Sequence, residues 1–185
     1  MMNGVRLGVF AAMSVDGYLA DSEDGLDFLA QVERQDEDYG YMAFASRVKG
    51  YVVGRRTFDI VSSLCGGQFP HEGKWPCFVL TRTPSKHAST DTLTYGTVDD
   101  LPGWLASHVS VNSEEDVVWC DGGGQALAAL AGRIDEWTIS VIPTLLGSGI
   151  PLFPEGRPPQ ALESVGAMTF DSGLVQMRFQ TKPKL

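Results

Sequence analysis

The sequence predicts one α/β domain built on a mostly parallel central sheet, with an antiparallel C-terminal edge and helices on both faces. Three observations predict it. Apolar β-type runs alternate with helix-type segments from Arg6 to Ala131. Several of those runs end in turns rich in glycine or arginine. From Asp135 onward, strand-like runs follow one another with no helix between them.

Taken in order, a strand is expected near Arg6 to Ala12, then a glycine-containing bend and an amphipathic helix around Asp38 to Val48. The apolar run Gly50 to Val53 leads into Gly54-Arg55-Arg56-Thr57-Phe58 and a helix through Ile60 and Val61, and a strand follows at Pro76 to Leu80. A further strand, Asp116 to Cys120, meets three successive glycines and the Ala/Leu-rich stretch Gln125 to Ala131, which has the composition of a helix. Two last strand-like runs, Trp137 to Pro143 and Met168 to Thr181, are separated by the Gly/Pro-rich stretch Gly147 to Pro159 and end the chain in hairpin-like fashion. Sheets of this kind hold ligands at the carboxyl ends of their strands, so the turns there carry the functional information.

With 185 residues, 43% of them hydrophobic, the chain suits a single domain over 1–185 that buries a core without disulfides or a structural metal. A formal charge of -9, from 23 Asp+Glu against 14 Lys+Arg, repels nucleic acid and anionic lipid over most of the surface. A phosphate-bearing ligand therefore needs local arginines. No apolar run approaches the roughly 18 to 20 residues that span a bilayer, and the N-terminus lacks a signal-peptide layout, so a cytoplasmic protein is expected. Cys65, Cys77 and Cys120 form no CxxC pair, and His71, His87 and His108 are widely spaced, so neither a disulfide framework nor a metal site is expected.

Three segments carry chemistry. In Asp121-Gly122-Gly123-Gly124-Gln125-Ala126 a β-run ends in glycines and a helix begins, which exposes backbone N–H groups at a positive helix end. That geometry cradles a pyrophosphate; a purely structural turn is the competing reading, and the spacing is not the GxGxxG fingerprint. Gly54-Arg55-Arg56-Thr57 sets two guanidiniums and a hydroxyl at a strand-to-helix junction, either as a phosphate site or as a surface basic pair with Thr57 as an N-cap. Leu80-Thr81-Arg82-Thr83 places an arginine and two hydroxyls just after a strand, as a 2′-phosphate requires.

In this order, and together with Ala11-Ala12-Met13-Ser14-Val15-Asp16-Gly17-Tyr18-Leu19-Ala20, Asp135-Glu136-Trp137 and Pro143-Thr144-Leu145-Leu146-Gly147-Ser148-Gly149, the segments resemble dihydrofolate reductase and its relatives over nearly the whole chain. The resemblance is closest to the reductase domain of bacterial riboflavin biosynthesis. It implies a dihydrofolate-reductase-like fold and NADPH as cofactor. Ala12 and Leu19 would meet the nicotinamide, Gly54, Arg55, Arg56 and Thr57 would hold phosphates, and Thr81 and Arg82 would flank the adenosine end. Gly122, Gly123, Gly124, Gln125 and Ala126 would cover the pyrophosphate, with a cis peptide between the first two glycines. The resemblance also implies a homodimer formed through the C-terminal half.

Dihydrofolate reductases carry a carboxylate on their first helix that hydrogen-bonds the pterin, and Asp38, 16 residues before Gly54, matches its position. On a helix from Asp38 to Val48 it shares a face with Met42 and Ala45, so burial over a cleft would raise its pKa toward catalysis. The other reading makes Glu33, Asp36, Glu37 and Asp38 an acidic cluster at a helix N-terminus. Riboflavin-type reductases have basic residues there, which argues against a phosphorylated substrate, and Leu127 replaces an aromatic residue of dihydrofolate reductases. Tyr39, Tyr41 and Phe44 offer a stacking wall or part of the core. The expected activity is hydride transfer from NADPH to a small pterin-, pyrimidine- or other heterocycle-like substrate. The alternative is a non-catalytic nucleotide- or small-ligand-binding module on the same fold. Without a GxSxG elbow, hydrolysis is disfavoured.

Overall fold

The computed structural model describes residues 4–156 and 159–182. An eight-stranded sheet forms the centre, with β1 (Arg6–Ser14), β3 (Val48–Gly54), β4 (Cys77–Leu80), β5 (Leu93–Gly96), β6 (Val117–Asp121), β7 (Glu136–Ile142), β9 (Leu162–Thr169) and β10 (Val175–Thr181) in the order β5-β4-β3-β6-β1-β7-β10-β9. Pairing is parallel from β5 through β7 and antiparallel from β7 through β10 to β9. The predicted class, mostly parallel with an antiparallel C-terminal edge, is the observed one. A separate two-stranded ribbon joins β2 (Tyr18–Ala20) to β8 (Ile150–Pro151).

Strand alternation sorts the core onto two faces. Val52, Val118 and Cys120 point to one, where α3 (Leu101–His108) and α4 (Gly124–Ala129) supply Leu101, Trp104, Leu105 and Leu127. Tyr51, Val53, Val117 and Trp119 point to the other, which is covered by α1 (Tyr41–Arg47) through Phe44 and by α2 (Arg55–Leu64) through Phe58 and Val61. All four residues of β4 are buried, as a strand covered on both faces demands. The edge strand β9 instead leaves Val165 and Met168 exposed.

Three local differences from the sequence reading have physical causes. The helix expected over Asp38 to Val48 is confined to Tyr41–Arg47. Tyr39 (φ 54) and Gly40 (φ 80) are left-handed before it, and Val48 is already extended (ψ 128). Met168 to Thr181 is not one strand but the end of β9, a turn with Gly173 at φ 88, and β10. β5 and α3 were not foreseen, because β5 has only four residues and α3 is apolar on more than one side, with no clear stripe. Within the loop Gly147 to Pro159, Arg157 and Pro158 lie outside the described residues. All three cysteines are free; Cys77 and Cys120 are core residues, and burial pushes the Cys77 thiol up to about 12. Among the described residues no helix is long and apolar enough to cross a membrane.

Candidate functional site

Because β1 and β3 to β7 run parallel, their C-terminal ends share one edge of the sheet, and the turns that leave them meet there. Gly54 ends β3 and the glycine run follows β6. The two segments touch backbone to backbone. A Cβ on Gly54 would lie 2.8 Å from Ala126 Cβ, and one on Gly122 would lie 3.0 Å from the Gly54 nitrogen. Gly122 also needs its φ of 122, which side chains rarely adopt. Thr57, in the first turn of α2, is therefore not an N-cap. Its Oγ1 accepts a hydrogen bond from the Gly123 N–H at 3.2 Å and ties the two turns together.

The same bonds correct how the glycine run is used. The N–H of Gly122 donates to Asp121 Oδ1 (2.7 Å) and that of Gly123 to Thr57, so both amides build the turn. Gly124 and Gln125 open α4, where helix geometry gives amides no internal acceptor. Gly124 is packed closely against the backbone of Pro151 and Leu152, which fixes the turn from behind. All peptide bonds of the described residues are trans, the Gly122–Gly123 bond included; positive φ at Gly122 makes the reversal instead.

The arginines differ in what they hold. Arg55 forms an ion pair with Asp59 (2.8 Å), contacts the His87 ring and lies over the Tyr95 ring at 5.8 Å. Arg56, 68% exposed, pairs with Asp24 at 2.8 Å. Arg82 is exposed and has no ion-pair partner among the described residues; beside it the Thr81 hydroxyl accepts from the Thr83 N–H (3.2 Å) and the Thr81 N–H donates to the Gly96 carbonyl.

Ala12 sits near the end of β1 opposite Ser140 of β7, and Leu19 lies in β2 against the core. Between them the Met13 to Tyr18 loop is clamped by Asp16. Its carboxylate accepts from the Ser14 hydroxyl (2.6 Å) and from the N–H groups of Leu146 (3.1 Å) and Gly147 (2.7 Å). These bonds, with Ser14 foremost, bring the Asp16 carboxyl down from 3.8 to about 2. The clamp explains why the Ser-Val-Asp-Gly and Leu-Leu-Gly-Ser-Gly segments occur in one chain, a link the sequence reading did not make.

Asp38 is not where the helical reading placed it. It precedes α1, is exposed, and accepts from the Met42 and Gly40 N–H groups at 2.9 Å each. Those amides, Met42 first, hold its carboxyl below the usual carboxylate value, opposite to the expected rise. The helix-terminus reading describes it.

Under α1 and α2 the sequence reading missed a second cluster. Tyr51, fully buried, donates a short hydrogen bond to Asp121 Oδ2 across the β3–β6 pair, in which Tyr51 faces Trp119 and Val53 faces Asp121. Burial, with Asp121 next, pushes the Tyr51 phenol far up, so it stays a donor. The His71 ring lies 4.6 Å from Tyr51, and burial lowers its pKa against the pull of Asp121. Trp119, 8% exposed, has an indole N–H with no acceptor among the described residues, and an unpaired buried donor costs about 1–3 kcal/mol. Tyr41 and Phe44 pack on Trp119 at 6.0 and 5.6 Å, while Tyr39 packs on Phe170 instead. Period-two alternation along β6 puts Trp119 and Asp121 on one face once the strand is seen to extend to Asp121, one residue beyond the sequence reading; Tyr51 and His71 reach them only through the fold.

No protein-family model matches the chain. YwjB of Bacillus subtilis (strain 168), a protein without a characterized function, is 30% identical over 174 residues, covering 92% of this chain and 95% of that one. A solved structure described as a riboflavin biosynthesis protein, from Shewanella sp. PV-4, superposes with TM-score 0.78 at 29% identity over 97% of this chain and all of that one. A dihydrofolate reductase from Enterococcus faecalis, solved with NADP(H), shares the fold with TM-score 0.64 at 16% identity, over 97% of this chain and 98% of that one.

The Asp16 clamp predicts an acid-sensitive loop. With its folded pKa lowered, the carboxylate contributes stability above about pH 4, and that contribution is lost as pH falls toward about 2. Asp16→Asn keeps one acceptor and loses the charge. Urea midpoints measured between about pH 5 and 2 should therefore fall more steeply for the wild type than for the variant; parallel curves contradict the clamp.

Proposed function

The chain belongs to the dihydrofolate-reductase-like family, on the side of the riboflavin-biosynthesis reductase domain, and from that premise we propose that it is an NADPH-dependent reductase of a small pterin-, pyrimidine- or other heterocycle-like substrate. One observation carries this reading. Two segments far apart in sequence, Gly54 to Thr57 and Gly122 to Ala126, meet at the carboxyl edge of the sheet, where glycines strip side chains from the point at which their backbones converge, and Thr81 and Arg82 leave the same edge from the neighbouring strand.

The residues present fit the cofactor. The first-turn amides of Gly124 and Gln125 and the N-terminal turn of α2 are the donors for the pyrophosphate, and Gln125 and Ala126 complete the turn over it. Arg56, in an exposed pair with Asp24 that is cheap to exchange, reaches for phosphate, and Arg55 is steadied by Asp59 and His87. Arg82, with Thr81, takes the 2′-phosphate. The backbone near Ala12 and Leu19 frames the nicotinamide, held by the Asp16 clamp. When bound, NADPH supplies the hydride, and the protein supplies orientation and shields the site from water.

The second reading, a binding module without turnover, has one observation in its favour: Asp38 is committed to capping α1 and is exposed. The reductase reading accommodates this by giving Asp38 no chemical role.

The same reading extends to a homodimer through the C-terminal strands, supported by the exposed Val165 (51%) and Met168 (56%) on the edge strand β9. Light scattering at micromolar concentration should give twice the 20.0 kDa chain mass, and a monomer counts against it.

Arg82→Ala should weaken NADPH binding about ten- to hundredfold and leave NADH nearly unchanged, as removal of a charge-assisted phosphate contact predicts. Equal losses for both cofactors, or none, contradict the assignment. Asp38→Asn should change the rate of NADPH oxidation, followed at 340 nm with a reducible dihydropterin, by no more than a few-fold; a loss of a hundredfold would restore Asp38 as the catalytic acid.

A further inference from the structure

The turn that follows β2 sets an acid on an arginine of the phosphate segment. Between Asp21 and Asp27 the chain carries four carboxylates, Asp21, Glu23, Asp24 and Asp27, and no basic residue. Asp21 builds the turn: its Oδ1 accepts from the N–H groups of Glu23 (2.8 Å) and Gly25 (2.7 Å), and its own N–H donates to the Gly25 carbonyl at 3.0 Å. Asp24 is thereby held at φ 66, in the left-handed region, with both carboxylate oxygens on Arg56 Nη2 at 3.0 and 2.8 Å. The strand that leads into this turn, β2, pairs with β8, and β8 backs the glycine run, since a Cβ on Gly124 would lie 2.4 Å from the Pro151 carbonyl oxygen. The turn therefore reaches from behind one phosphate segment, the start of α4, to the other, the start of α2.

We propose that Asp24 is a built-in competitor for the cofactor's phosphates: its carboxylate occupies the Arg56 guanidinium in the free protein, and a pyrophosphate binds by displacing it. The proposal deepens the reductase reading and rests on it for the identity of the cofactor, while displacement by a bare pyrophosphate is independent of it. Three considerations favour exchange over sharing. An ion pair whose arginine is 68% exposed is worth little to the free protein. A pyrophosphate carries more negative charge than a carboxylate, so the incoming anion outweighs the resident one on the same guanidinium and repels it. Asp21, Glu23 and Asp27, all within three residues of Asp24, add to that repulsion. Asp24 thus lowers the affinity of the site for every pyrophosphate-bearing ligand and keeps Arg56 masked from weakly charged anions.

Isothermal titration calorimetry with inorganic pyrophosphate, NADPH and NADH, run on the wild type, Asp24→Asn, Glu23→Gln, Arg56→Ala and the Asp24→Asn/Arg56→Ala double variant, tests it. Asparagine tolerates the left-handed backbone as aspartate does, so Asp24→Asn should melt near the wild type. It should bind all three ligands about three- to fivefold more tightly at low salt, the gain expected from removing a surface ion pair and a like charge, and that gain should shrink at about 0.5 M salt. Glu23→Gln removes the same charge from the same turn at an exposed position and should change affinity less than about twofold. In the Arg56→Ala background, Asp24→Asn should give no gain. Unchanged or weaker binding by Asp24→Asn overturns the proposal, because Asp24 then shares or positions Arg56 instead of competing for it. An equal gain from Glu23→Gln, or a gain that survives in the Arg56→Ala background, also overturns it, since the effect is then one of net charge alone. Tighter pyrophosphate binding by Asp24→Asn without any binding of NADPH or NADH supports the competition and sinks the reductase reading; NADPH binding that is indifferent to Asp24 does the reverse.

Discussion

The close approach of the two turns that leave β3 and β6 is the constraint on which the rest of the site depends. Gly54 and Gly122 must both lack a Cβ for the backbones to reach this distance, and Thr57 must offer its hydroxyl inward to Gly123 for the contact to hold. Once that junction is closed, the start of α2 and the start of α4 are fixed side by side at the sheet edge, and Asp121 is fixed just beneath them. The ribbon of β2 and β8 then finds its place, because Gly124 packs on the backbone of Pro151 and Leu152. Parallel strands make this economical: every turn that matters leaves the sheet on the same side.

Electrostatics follow the same geometry. In a chain of net charge -9, the cations near the sheet edge are individually assigned, Arg55 to Asp59 and Arg56 to Asp24, while Arg82 has no ion-pair partner among the described residues. Carboxylates near the site do structural work where they are exposed. Asp16 clamps one loop to another and Asp38 starts a helix, and both are held down in pKa by the N–H and O–H groups they accept from. Asp121 differs, since its partner is a buried phenol and its neighbours are aromatic rings.

Much of the fold was legible because its signals are local. The apolar runs of β3 and β6, the glycine run and the arginine turn each announce themselves within a few residues, and their order supplies the topology. Short elements such as β5 escaped because four residues cannot establish a period. Asp38 misled because a matching distance to Gly54 says nothing about the left-handed Tyr39 and Gly40, which start the helix three residues later. Tyr51, His71 and Asp121 could not be joined from sequence, since 70 positions separate Tyr51 from Asp121 and only strand register brings them together. The Asp16 clamp was hidden for the same reason, with its acceptor and donors 131 positions apart at the farthest.

The central claim is that three strand-end segments act together to hold one NADPH molecule. Hydrogen–deuterium exchange of backbone amides, with and without saturating NADPH, tests it most directly. The account predicts simultaneous protection at Gly54 to Thr57, Thr81 to Thr83 and Gly122 to Ala126, with the exposed strand β9 unchanged. Protection confined to one of these segments, or none at any of them, would contradict it.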